Sequence, residues 1–209
     1  MKTKERILEA ALTHFNRFGW VNVTLRDVSA SLNLSYGNVT YHFATKEKLL
    51  EAIYAAYHNA LVDLSQQLSS GAADLLQLLA APQATFAISL KYRFLFVDFL
   101  ELQRQYPAFM AEVNAAHKMR KAHWKAQLVA LQDQGVLRAD ITAVSFDFIM
   151  ELSGLVRTFF FLKVTDENQE PGVLEAQYVE EVNAVLWPYL SEKGLAMAKE
   201  AGYYGNLSC

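Results

Sequence analysis

LNLSYGNVTYHF, residues 32–43, is a helix-sized run of Ser, Gly, Asn and Thr with two tyrosines and a histidine among them. Such residues are mediocre helix formers and would make a poor core, yet the run lies between strongly amphipathic segments. Upstream, Ile7, Leu8, Ala11, Leu12, Phe15 and Phe18 recur at spacings of one, three and four, the stripe of a helix with one buried face. Thr3 is placed to cap its start and Gly19 to end it. Downstream, Thr45 is placed to cap a helix over 46–68, with a stripe of Leu49, Leu50, Ile53, Tyr54, Tyr57, Leu61, Leu64 and Leu68.

Between these stripes, Trp20, Val21 and Val23 fill a short turn. Thr24 opens a second helix, with Asp27 three residues on as an acidic variant of the capping box. Leu25, Val28 and Leu32 face inward, Asn33 and Leu34 turn the chain, and Ser35 caps a third helix that ends near His42. Two short helices joined by a tight turn make a helix-turn-helix, whose second helix enters the major groove while the first crosses the backbone. A recognition helix must expose hydrogen-bonding and aromatic groups, which accounts for the odd composition. Leu34, Val39 and Phe43 hold the third helix in place and leave Tyr36, Asn38, Thr40, Tyr41 and His42 free. Asn pairs bidentately with adenine, and Thr or Tyr meets a thymine methyl or a phosphate. Gly37 costs about 1 kcal/mol in a helix relative to Ala, which points to a close approach, with a DNA backbone as one candidate.

The segments ILEAALTHFNRFGW (7–20) and VTLRDVSASLNLSYGNVTYHFATKEKLL (23–50) resemble the DNA-binding head of the tetracycline-repressor (TetR) family of bacterial regulators. The resemblance rests on Thr24 before the second helix, on Leu34-Ser35-Tyr36-Gly37, on Tyr41-His42-Phe43 and on Lys46-Glu47-Lys48. It implies that Thr24 and Arg26 touch phosphate and that Tyr36, Asn38 and Thr40 face base edges. It implies further that Tyr41 and His42 reach the backbone or flanking bases, and that Lys46 holds phosphate at a helix N-terminus. Ser35 and Gly37 join this DNA-facing set. Family members usually carry Tyr where this chain has Thr40, which implies an altered base preference.

The rest of the chain reads as helices over roughly 74–81, 83–104, 108–134, 142–164 and 175–190, with a helical tail to about 201. Breaks are expected at SSGAAD (69–74), at Pro82 and Pro107, at DQG (133–135), at TDENQEPG (165–172) and at Pro188, which kinks or ends its helix. An all-α chain follows, with a helix-turn-helix domain over 1–45 and a larger helical domain over 46–209, joined by the helix at 46–68. By resemblance this second domain binds an effector and dimerises. Phe96, Phe99, Gln103, His117 and Trp124 are candidates to line an effector pocket. The dimer interface is expected on helices 142–164 and 175–190. Ser153 and Gly154 would permit close approach there, and Phe146, Ile149, Phe160, Val179, Val182, Leu186 and Leu190 would supply apolar contact. Asp98, Glu101 and Arg157 fit either interior pairs or the surface.

Composition narrows the function classes. Net charge is −3, but residues 1–50 carry seven Lys/Arg against four Asp/Glu, so the head alone is +3 and the remainder −6. That asymmetry suits a polyanion at the N-terminal quarter. Apolar types make up 53%, a surplus that suits a ligand cavity or a subunit interface. No apolar run is long enough to span a membrane and no signal peptide is read. The lone cysteine, Cys209, offers no internal disulfide and suits a reducing compartment. A cytoplasmic protein, nucleoid-associated when bound to DNA, is expected. His-Glu-x-x-His, a Gly-rich phosphate loop, Gly-x-Ser-x-Gly and a cysteine nucleophile are all missing, and His117 and His123 fall on different helix faces, so no enzyme, cofactor or metal is expected. The expected partners are an operator in double-stranded DNA, a second copy of the chain and an unidentified small effector. Control by a protein partner, constitutive binding and activation in place of repression remain open.

Overall fold

The structure is a computed structural model that describes residues 2–68, 73–164 and 170–203. The expected breaks at 69–72 and 165–169, and Cys209, lie outside the described residues. The elements are α1 (Thr3–Phe18), α2 (Leu25–Ser31), α3 (Tyr36–His42), α4 (Lys46–Leu68), α5 (Leu75–Lys91), α6 (Phe94–Val97), α7 (Phe99–Gln105), α8 (Pro107–Asp133), α9 (Ala143–Lys163), α10 (Pro171–Ala184), a 3-10 turn (Trp187–Tyr189) and α11 (Glu192–Glu200). Among the described residues the only β-pairing is an isolated antiparallel bridge between Leu137 and Leu190. The fold is all-α.

The chain divides into two compact units, residues 1–66 with 88–111, and 67–87 with 112–209. The first unit thus extends beyond the head of 1–45. Its core gathers Ile7, Leu12 and Phe15 of α1, Trp20, Val28 of α2, Val39 and Phe43 around α3, Leu49, Leu50 and Ile53 of α4, and Phe94 and Leu102. Burying each such side chain contributes about 1.5–3 kcal/mol. Lys2, not Thr3, is the N-cap of α1, and its backbone N–H donates to Glu5 Oε2 at 2.9 Å. Gly19 ends α1 at φ 79°, in the left-handed region that glycine enters without steric cost.

Two expectations fail between 82 and 105. Pro82 does not break the chain: α5 runs through it. Proline's fixed φ fits a helix, the cost is one lost backbone bond and crowding of the preceding turn, and Leu75, Leu79 and Phe86 are buried on either side. The helix expected over 83–104 is instead interrupted at Tyr92–Arg93 and at Asp98. Asn16 of α1 takes over there. Its Nδ2 donates to the Lys91 carbonyl at 2.8 Å, and its Oδ1 accepts from the Phe94 N–H at 3.0 Å. One side chain thus closes α5 and opens α6.

In the second unit, Leu75, Leu79, Leu128, Leu131, Val136, Phe146, Ile149, Leu186 and Leu190 form one continuous apolar cluster. Phe86, Phe160, Phe161 and Tyr178 form an aromatic group with centroids 5.1–6.4 Å apart. The helix expected over 175–190 begins earlier, with Pro171 in its first turn, where a missing N–H costs nothing. It ends at Ala184, ahead of the 3-10 turn that contains Pro188. The chain then pairs with 136–138: Arg138 N–H donates to the Tyr189 carbonyl at 2.9 Å and Ser191 N–H to the Val136 carbonyl at 3.0 Å. Ser191 caps α11. A Cβ on Gly194 would lie 2.3 Å from the Val136 carbonyl oxygen, so only glycine lets α11 approach that closely.

Candidate nucleic-acid interface

The turn between α2 and α3 is built by the backbone. Asn33 takes φ 54°, a left-handed conformation that asparagine tolerates better than most residues. Leu34 N–H donates to the Ser29 carbonyl at 2.9 Å. Ser35 caps α3, its hydroxyl accepting from Asn38 N–H at 3.2 Å. Val39 and Phe43 are buried, while Ser35, Tyr36, Gly37, Asn38 and Tyr41 are exposed, Tyr41 at 85%. Thr40 and His42 are half-buried. The Thr40 hydroxyl donates back to the Tyr36 carbonyl at 3.1 Å, and the His42 ring meets Tyr41 edge-on at 5.2 Å. A Cβ on Gly37 would meet nothing closer than Ser35 Oγ at 4.0 Å. The protein's own packing therefore does not require glycine there.

α2 is fixed by a complete capping box. Thr24 N–H and Oγ1 both donate to Asp27 Oδ2 at 2.7 Å, and Asp27 N–H donates to Thr24 Oγ1 at 3.3 Å. The side-chain bond from Thr24 is the main cause holding the Asp27 carboxyl below its usual range. Arg26 is exposed and lies over the Tyr36 ring, 4.9 Å from its centroid, so α2 and α3 present one joined surface.

Lys46 departs from expectation. Its ammonium turns inward, donates to the Trp20 carbonyl and sits 4.1 Å from the centre of the Trp20 ring and 5.8 Å from that of Phe15. Burial lowers its pKa, against the opposing pull of Asp98. In the free protein one of its three donors is thus held by the Trp20 carbonyl, and a phosphate would have to draw the side chain outward. Neighbouring Lys48 pairs with Glu51 at 2.7 Å.

The effector candidates fall in both units. Phe96 and Phe99, half-buried, and Gln103, exposed, belong to the first; His117, exposed, and Trp124, half-buried, belong to the second. Desolvation and Arg120 lower the His117 pKa. None of the five lines either of two open surface depressions, one bounded by His14, Phe18, Asn22 and Asp27, the other by Leu155, Val156, Phe159 and Glu181. The sequence reading missed an aromatic group in the first unit, where Tyr54 contacts Tyr57, His58 and Phe109, and Tyr57 contacts Tyr92 and Phe96. The Tyr54 hydroxyl is buried with no hydrogen-bond partner among the described residues. Tyr54 and Tyr57 were legible as members of a stripe, but not as walls of a shared aromatic group. Among the described residues no cluster of His, Cys, Asp or Glu could hold a metal.

The dimer candidates need correcting. Phe146, Ile149, Phe160, Val182, Leu186 and Leu190 are all buried inside the protomer, at 1–8% exposure, and cannot meet a second copy. Ser153, Gly154 and Val179 are half-buried. The exposed apolar residues of α9 are Val144, Phe148, Leu155, Phe159 and Leu162. Their spacings of four, seven, four and three trace a single stripe down the helix. The acidic positions of α9 turn to α8, Glu151 pairing with Lys121 and Asp147 with Lys125. α9 is apolar on two faces, so periodicity alone could not tell which one the protomer buries. Of the three undecided charges, Asp98 accepts from Trp20 N–H, Glu101 lies 3.9 Å from Arg104, and Arg157 donates to Tyr178 Oη at 3.0 Å.

Two successive stretches of the chain match known families. Residues 7–53 match the family described as bacterial regulatory proteins, tetR family, and residues 50–197 match the family described as bacterial transcriptional repressor. The chain is 23% identical over 179 residues to IcaR of Staphylococcus epidermidis, the negative transcriptional regulator of the biofilm operon icaADBC, covering 82% of this chain and 89% of that protein. A TetR-family regulator from Marinobacter aquaeolei superposes over 98% of this chain and 100% of its own, at a TM-score of 0.80 and 23% identity. The ketosteroid regulator KstR2 of Mycobacterium tuberculosis does so over 91% and 96%, at 0.73 and 18%.

Proposed function

The chain belongs to the TetR family of DNA-binding transcriptional regulators, and from that premise we propose that it is a homodimeric repressor whose two copies of α3 enter successive major grooves of a roughly palindromic operator. The observation that carries this reading is the split of α3. Val39 and Phe43 are spent on the core, while Tyr36, Asn38 and Tyr41 stay outside. Asn38 and Tyr36 read base edges, Arg26 meets phosphate, Thr24 does so by turning its hydroxyl away from Asp27, and Tyr41 and His42 reach the backbone. Thr40 contributes its methyl group, since its hydroxyl is engaged with the Tyr36 carbonyl. The likeness to a negative regulator supports repression.

The dimer is supported by the exposed stripe Val144, Phe148, Leu155, Phe159 and Leu162. So many large apolar groups on one helix face are stable in water when a second copy covers them. Release by a small apolar or amphipathic effector is supported by the aromatic group around Tyr54, whose unpartnered hydroxyl would bond a polar atom of the ligand. The effector acts by binding one arrangement of the dimer better than the other.

Duplexes recovered from a random pool on the purified protein test the reading. Inverted repeats with half-sites about 34 Å apart are expected, and Asn38→Ala should relax one base pair in each half-site at a cost of about 1–3 kcal/mol. Enrichment of a single unrepeated site would reject the dimeric mode, and no enrichment would reject operator binding. A melting scan across a compound library separates effector control from control without one, because a ligand at 100 times its Kd stabilises the native state by about 2.7 kcal/mol.

A further inference from the structure

Both ends of the recognition helix carry a cation mounted on an aromatic ring. At its start, Arg26 lies over Tyr36, 4.9 Å from the centroid. At its end, Lys4 lies over Phe43, the residue that terminates α3, at 5.6 Å. Lys4 and Arg26 are both exposed, and neither has a carboxylate partner among the described residues. Around Lys4 the balance of charge stays positive. Lys2 and Arg6 are also exposed, against Glu5, which accepts from the Lys2 backbone N–H, and Glu9, which is paired with Lys91 at 2.8 Å. Lys46, the cation expected at the recognition helix's downstream flank, is committed to Trp20.

We propose that Lys4 is a phosphate-binding residue of the DNA interface, and that with Arg26 it brackets α3, each cation meeting the sugar-phosphate backbone on one side of the groove that α3 enters. The dimensions suit this. A helix of seven residues is about 10 Å long, so cations seated on rings at its two ends stand about that far apart, a span comparable with the major groove's width of about 12 Å. A ring under each cation limits its rotamers without consuming its hydrogen-bond donors, so less entropy is lost when a phosphate binds. The bracket rests on the DNA-binding reading above and adds to it a contact from α1.

Phosphate contacts carry no sequence information, so the test needs no operator. Binding of full-length protein to a random-sequence duplex long enough for two half-sites is measured by fluorescence anisotropy over a salt series. Lys4→Met keeps an aliphatic cover on Phe43 and removes the charge; Lys4→Arg keeps the charge; Lys118→Met, on the exposed face of α8, serves as control. Lys4→Met should lower the salt slope by about 0.9 per head, hence about 1.8 per dimer, at an unchanged melting temperature, with Lys4→Arg restoring the slope and Lys118→Met leaving it alone. An unchanged slope in Lys4→Met overturns the proposal. So does a slope that falls only together with the melting temperature and is not restored by Lys4→Arg, because Lys4 would then merely cover Phe43. Wild-type protein that bound DNA without any salt dependence would instead sink the DNA-binding reading itself.

Discussion

The carboxylate of Asp98 accepts a hydrogen bond from the backbone N–H of Trp20 at 2.7 Å, across 78 residues of chain. Trp20 follows the end of α1, and Asp98 sits at the junction of α6 and α7. Trp20 Nε1 also donates to Gln105 Oε1 at 3.3 Å, and its ring meets Tyr106 edge-on. Asp98→Ala would leave the Trp20 N–H unpaired and should cost about 1–3 kcal/mol, whereas Asp98→Asn, which retains an acceptor oxygen, should cost less. Urea denaturation of both variants checks the order; equal losses would mean that the negative charge matters and the bond to Trp20 does not.

Lys46→Met should destabilise the protein by about 1–3 kcal/mol through the lost bond to the Trp20 carbonyl and the lost contact with the Trp20 and Phe15 rings. Its DNA-binding salt slope should match wild type once both are folded. A slope lowered at unchanged stability would return Lys46 to the phosphate backbone.

Asp27 gives a pH signature. Its folded pKa lies below the usual carboxylate value because Thr24 donates to it, so its contribution is fully present above about pH 4 and is lost as pH falls through the folded value. Asp27→Asn should therefore be less stable than wild type at neutral pH, and the gap should close in acid. Asp98 has the opposite sign: burial raises its pKa, so its penalty is present at neutral pH and is relieved as pH falls. Denaturation midpoints between pH 2.5 and 7 follow both, and a gap for Asp27→Asn that widened in acid would contradict the capping box as its cause.

Gly37→Ala should leave the free protein as stable as wild type or raise its stability by up to about 1 kcal/mol, because the space beside Gly37 is open. The same methyl should weaken DNA binding if α3 approaches the groove closely at that point. Melting and binding are measured on one preparation; unchanged affinity would assign Gly37 no part in the interface.

Phe159 is 62% exposed and Leu155 65% exposed on α9. The double variant Leu155→Asp, Phe159→Asp should sediment as a monomer while keeping its helical circular dichroism, since neither side chain belongs to the protomer core. A dimer retained at micromolar concentration would place the interface elsewhere.

The head was legible from residues alone because its signals are local. Thr24 and Asp27 cap α2 by bonds three residues apart, Ser35 does the same for α3, and Gly19 supplies a backbone angle its neighbours cannot. The apolar periods of α1 and α4 follow from one helix having one wet face. Where a helix has two apolar faces the sequence falls silent. α9 offers Phe146, Ile149 and Phe160 on one side and Phe148, Leu155 and Phe159 on another, and which set is buried depends on what Leu75, Leu131, Leu186 and Tyr178 bring against it. The same holds for single polar groups. The sequence placed Lys46 at a helix start, where phosphate is the obvious partner; only tertiary structure brought Trp20 and Asp98 to it. Asn16 likewise decides where α5 ends and α6 begins, through two bonds across more than seventy residues. Sequence by itself determined what caps, turns and periods within one or two helical turns can fix. Tertiary structure alone decided which of two competing surfaces, or which of two partners, each residue would use, because that choice is set by contacts between segments far apart in the chain.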